Sequence, residues 1–137
     1  MSDDSESDPI STHEIYGAIG HDGLARICDE FYRQVPDDDI LGPMYPESDM
    51  DGAHERLFQF LVYRFGGPQD YIEKRGHPRL RGRHMPFKID QAARDRWMKI
   101  MRFAIEQAEI PAAVAAALDD FFDQTASFMI NLSLIHI

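Results

Sequence analysis

One cysteine, Cys28, stands alone in a chain of 137 residues. No intramolecular disulfide can form, which fits a reducing cytoplasm. Leu24, Cys28 and Phe31 fall on one helical face, so Cys28 reads as a buried thiol and not as a nucleophile. Positive charge is scarce too: 14 Lys and Arg against 24 Asp and Glu leave a formal net charge of −10. Nucleic acid is therefore excluded as the main partner, since binding phosphates needs a cationic surface. Apolar runs are too short to span a bilayer, so no membrane partner is expected. The opening MSDDSESDP is acidic and polar, unlike the basic and then apolar start of a secretory leader. Strand-like alternation, an internal repeat, a Gly-x-Ser-x-Gly elbow and a phosphate-cradling glycine loop are all missing.

What the sequence does have is helical spacing. Residues 1–10 are expected to form a disordered acidic tail. Ser11–Glu14 (STHE) has capping-box spacing and predicts a short helix through Ile15 and Ile19, ended by Gly20. Asp22 opens a second helix with Leu24, Ile27, Cys28, Phe31 and Val35 on one face, stopped by Pro36. Asp37–Gly52 carries two prolines and two glycines and reads as a loop with at most one helical turn. A third helix is expected from about Asp51 to Phe65, with Ala53, Leu57, Phe60 and Leu61 aligned, terminated by Gly66–Pro68. After a short helical piece around QDYIEKRG, Asp90 caps a long helix containing Ala93, Trp97, Ile100, Met101, Ala104 and Ile105. Pro111 starts the last helix, with Val114, Leu118, Phe121, Thr125 and Phe128 facing inward and the pattern fading near Met129. The fold class is all-α.

GHPRLRGRHMPF (Gly76–Phe87) concentrates His77, His84, Arg79, Arg81 and Arg83, with Arg75 just before them, in an otherwise acidic chain. By spacing alone a lone histidine such as His84 is more often a surface or core residue than a ligand. Its surroundings strengthen the case: Pro86 limits local freedom, and Leu80, Met85 and Phe87 supply apolar walls that keep an imidazole nitrogen neutral and free to bind a metal. The arginines read either as a solvated patch or, grouped beside a histidine, as partners for a dianionic ligand. Zinc held by His54, His77 and His84 is a rival; HERLF (His54–Phe58) starts like a zinc-protease helix, but Phe58 stands where the second histidine must be. Tyr32, Tyr45 and Trp97 are individually ordinary core residues, yet each needs a partner for its O–H or N–H, and three such donors from three elements can converge on a polar ligand.

At this point FYRQVPDDDILGPMYPE, RLFQFLVYRFGGPQDY, RGHPRLRGRHMPFKI and RDRWMKIM together resemble a truncated haemoglobin of group II, in the family's order and over most of Ile15–Phe128. The resemblance implies a two-over-two α-helical globin domain over residues 11–131 around one haem b. His84 would be the proximal iron ligand. The arginine-rich block with Arg83 would help face the haem propionates, and Arg56, Leu57, Phe60, Leu80, Phe87 and Trp97 would bind the cofactor. Tyr32, Tyr45 and Trp97 match the distal polar residues, and Ala53 and Leu57 the distal positions of the third helix. The distal histidine of ordinary globins is then absent, with His54 one residue off and turned away from iron. His77 would be a cap or propionate neighbour.

The function so implied is reversible O2 binding at ferrous haem, with NO, CO or peroxide as further ligands. The enzymatic alternative is nitric oxide dioxygenation or peroxidase chemistry, which needs a reductase partner or peroxide; steady-state nitric oxide consumption with a regenerating reductant separates it from binding. Finally, LSLIHI (Leu132–Ile137) is what CTG-TCT-CTT-ATA-CAC-ATC, a common transposase-adapter sequence, would encode. It is expected to be foreign to the native chain.

Overall fold

Apolar residues at three-and-four spacing set each helix and the side that it buries. The computed structural model describes residues 10–45, 47–68 and 90–135. Within them lie four α-helices, α1 (Ile15–Gln34), α2 (Met50–Arg64), α3 (Gln91–Gln107) and α4 (Ala112–Ile135), and no strand. The tail at residues 1–9, the segment 69–89 with its expected helical piece, and residues 136–137 lie outside the described residues.

A 3-10 turn at Thr12–Glu14 leads into α1. The Glu14 carboxylate accepts the Ser11 N–H at 2.9 Å, while the Ser11 hydroxyl pairs with His13 Nδ1 at 2.9 Å. Gly20 breaks α1 as expected, with φ of 69°, a left-handed conformation that costs glycine nothing sterically. Helix resumes at once, so the two predicted helices form one bent element. Leu24, Ile27, Cys28, Phe31 and Val35 are all fully buried, each worth about 1.5–3 kcal/mol for a large aliphatic or aromatic side chain.

Helix α2 ends at Gly66, whose φ is 96°. A Cβ there would lie 2.1 Å from the His13 carbonyl oxygen, so only glycine lets the end of α2 close on the start of α1. The Tyr16 N–H completes that junction by donating to the Phe65 carbonyl at 2.9 Å. Asp90 caps α3, its Oδ1 accepting the Ala93 N–H at 2.9 Å. Helix α1 packs against α2 and α3, and α3 packs against α4.

In α4, Val114, Leu118 and Phe122 are buried. The spacing reading put Phe121 inward and passed over Phe122. Both meet Phe65, at 5.1 and 6.4 Å between centroids, and Phe121 also lies under the Arg64 guanidinium. The helical backbone continues beyond Met129 to Ile135, further than the fading pattern indicated.

Candidate functional site

Two helices and one loop bring the predicted polar aromatics together. Tyr32 comes from α1, Trp97 from α3, and Tyr45 from the loop just after a 3-10 turn at Gly42–Met44. That loop is held from two sides. Asp38 Oδ2 accepts the backbone N–H groups of Ile40 and Leu41 at 3.0 and 2.8 Å, and Leu41 is buried in the core. Asp38 Oδ1 and Asp39 Oδ1 receive Arg96 Nη1 of α3 at 2.5 and 2.9 Å. Burial by itself would raise the Asp38 carboxyl, but the Leu41 N–H, Arg96 and the Ile40 N–H outweigh it and hold it below the ordinary carboxylate value. Arg96 directly precedes Trp97, so one ion pair fixes the tyrosine loop relative to the indole.

The rings then interlock. Tyr32 meets Tyr45 edge-on at 5.8 Å, Phe31 meets Trp97 at 5.3 Å, and Trp97 meets Phe122 edge-on at 5.3 Å. Tyr32 has one hydroxyl proton and two acceptors within reach. The Ala53 carbonyl accepts it at 3.2 Å, and the Tyr45 oxygen lies beside it. Burial pushes the Tyr32 phenol up, and the Tyr45 neighbour pushes it the same way. Tyr45 is also raised by burial, and the nearby Trp97 and Tyr32 offset part of that rise. An indole can only donate, whereas the single Tyr32 proton goes to the Ala53 carbonyl.

Ala53, Leu57, Phe60, Tyr45 and Trp97 pack on the core yet stay partly open. Of all α2, only Leu61 is fully buried. A half-open apolar face beside converging O–H and N–H donors suits a flat apolar cofactor with a small polar ligand at its centre, so the residues present fit a haem. Arg56, expected to bind the cofactor, pairs with Asp49 at 2.6 Å. Gly52 leaves room for that pair, since a Cβ would sit 2.4 Å from Asp49 Oδ1. His54 lies on the Tyr32 ring and bonds Asp29. His84, His77, Arg83, Leu80 and Phe87 lie outside the described residues. Among the described residues no group of three His, Cys, Asp or Glu is placed to hold a metal, and no helix is long and apolar enough to cross a membrane. Cys28 is buried, and burial raises its thiol, as a structural cysteine requires. Spacing did not reveal Asp29, Asp38 or Arg96; the only hint was the Asp38 side chain's place just after a proline-ended helix, a common turn position.

Comparison with known proteins adds four findings. A family model described as bacterial-like globin matches residues 14–131. The chain is 35% identical over 116 residues to the group 2 truncated haemoglobin YjbI of Bacillus subtilis, covering 85% of this chain and 87% of that one. Among solved structures it is similar to a thermostable haemoglobin from the actinobacterium Thermobifida fusca, with a TM-score of 0.80, 42% identity, and 85% and 95% of the two chains covered. It is also similar to a truncated oxygen-avid haemoglobin from Bacillus subtilis, with a TM-score of 0.79, 34% identity, and 85% and 98% covered.

Proposed function

The chain belongs to the bacterial-like globins, as a group II truncated haemoglobin of two-over-two fold, and from that premise we propose that it binds one haem b through His84 and holds O2 against the Tyr45 hydroxyl. The observation that carries this reading is the convergence of Tyr32, Tyr45 and Trp97, from three separate elements, beside the partly open apolar face of α2. Haem, when bound, supplies iron ligation and the electron density that makes a diatomic ligand a hydrogen-bond acceptor. The rest is the work of this chain's residues. His84 would supply the imidazole that holds the iron, and Arg83 would meet the propionates. Arg56 joins it by exchanging one carboxylate, that of Asp49, for another. Leu57, Phe60, Leu80, Phe87 and Trp97 exclude water.

In this reading the Trp97 indole, which can only donate, gives its proton to the Tyr45 oxygen beside it, which orients the Tyr45 hydroxyl and leaves its proton for the ligand. A hydrogen bond to a charged acceptor is worth ~1.5–3 kcal/mol, and at ~1.4 kcal/mol per decade this slows ligand escape ~10- to 100-fold. Slow release suits sensing, scavenging or redox chemistry better than bulk delivery. NO and CO fit the same site. The structural neighbour described as oxygen-avid agrees with this direction.

The test is optical. Protein supplied with haem is expected to show a Soret band. His84→Ala should abolish or severely weaken haem retention, and His77→Ala should keep it. The reverse pair of results moves the axial ligand to His77. A parent protein with no Soret band refutes the haem reading.

A further inference from the structure

His54 sits one residue past Ala53, and both residues hold the same tyrosine by different chemistry. The Ala53 carbonyl accepts the Tyr32 hydroxyl at 3.2 Å. The His54 imidazole lies over the Tyr32 ring, with centroids 5.0 Å apart and planes at 20°. On its outer side His54 Nε2 meets Asp29 Oδ1 at 3.0 Å. Asp29 is on α1, one turn before Tyr32, so the imidazole from α2 is pinned back to the helix that carries the ring it covers. The edges of Tyr32 meet Phe31 at 5.0 Å and Tyr45 at 5.8 Å.

Helix α2 has one strong hydrophobic anchor, Leu61, near its C-terminal end. Its first turns, with Ala53 and Leu57, rest on partly buried contacts. A polar link between α1 and the start of α2 therefore does what burial does further along. The Asp29 carboxylate, 3.0 Å from His54 Nε2, supplies that link.

We propose that Asp29 and His54 form a positioning tether for Tyr32, and through Tyr32 for the Tyr45 donor at the ligand site. The proposal rests on the diatomic-binding reading above. The tether touches no ligand. It acts by holding one ring in place, and the donor next to that ring inherits the order.

The test compares His54→Ala, Asp29→Ala, their double variant and Asp29→Asn in the full-length haem-loaded protein, with CO as the infrared probe and O2 as the kinetic one. The C–O stretch reports the field of the distal donors. His54→Ala and Asp29→Ala should each shift or broaden that band and speed O2 release about 2- to 10-fold, the range of one hydrogen bond's net worth. The double variant should be no worse than His54→Ala, because both substitutions remove one tether. Asp29→Asn keeps an acceptor oxygen and should restore the parent band. A parent-like band and parent-like release in Asp29→Ala, or additive effects in the double variant, overturn the proposal. The parent's Soret band, recorded first, separates this outcome from failure of the haem reading. If that band is missing, the Tyr32 ring-proton shifts of the haem-free chain decide instead: Asp29→Ala must move them, and unmoved shifts refute the tether.

Discussion

Tyr45→Phe removes one oxygen and keeps the ring, with its edge contact to Tyr32 at 5.8 Å. Two effects follow from the contacts of that oxygen. The ligand loses the donor whose proton no neighbour takes up, so O2 release should accelerate about 10- to 100-fold, from a bond worth ~1.5–3 kcal/mol. The donors that face Tyr45 also lose their acceptor. Tyr32 still has the Ala53 carbonyl at 3.2 Å, but the Trp97 indole has only the Tyr45 oxygen among the contacts above. A stranded donor costs about 1–3 kcal/mol, and Trp97 is only partly buried, so the lower end applies. A small fall in thermal midpoint should accompany the kinetic change. Trp97→Phe is the control. It leaves the Tyr45 hydroxyl in place but unsteered, so release should accelerate by less than in Tyr45→Phe. The assay is stopped-flow mixing of oxygenated ferrous protein with excess CO. Faster release in Trp97→Phe than in Tyr45→Phe would refute the reasoning and make the indole the donor. If the freed indole turns to the ligand when Tyr45 is lost, the double variant will release O2 faster than Tyr45→Phe alone.

Two further predictions concern the frame around the site. Asp38→Asn breaks the ion pair with Arg96 that fixes the tyrosine loop on α3 and should lower the thermal midpoint at neutral pH. Because the folded carboxyl sits below its ordinary value of 3.8, its stabilisation is present in full above that pH and fades as pH falls through the lowered value. The gap in thermal midpoint between parent and variant should therefore be open at pH 7 and close below about pH 3.8; a gap that widens on acidification would contradict the pairing. Deleting Leu132–Ile137 should leave the haem spectrum, ligand kinetics and melting temperature unchanged, although α4 runs helical to Ile135. A substantial loss of stability, or a source genome that encodes these residues in its own frame, would show that the tail is native.

Helix positions were legible from local chemistry, because each signal acts within a turn or two of itself. Gly20 bends α1, Pro36 follows its last turn, Gly66 closes α2 and Asp90 caps α3, all where punctuation and spacing put them. The expected stripe of Leu24, Ile27, Cys28, Phe31 and Val35 is buried throughout, with Tyr32 buried beside it. Phe122 was missed because neighbouring positions on α4 are both aromatic, and which one turns inward depends on where Phe65 of another helix sits. The family likeness then named Tyr32, Tyr45 and Trp97 together.

What the amino-acid sequence alone determined was the all-α class, the caps and breaks of α1 to α3 and most apolar faces of the described helices. Tertiary structure decided which polar side chains meet. Whether Trp97 donates to a ligand or to Tyr45 depends on how α3 is set against the loop, and the Asp38–Arg96 pair that sets it joins residues 58 apart in sequence. Whether His54 is spare or structural depends on Asp29 of α1 lying opposite α2. Hydrogen bonds need donor and acceptor within a few tenths of an ångström and a narrow angle. Periodicity says which side of a helix is buried but not how far one helix slides along another, and that slide decides which polar atoms meet.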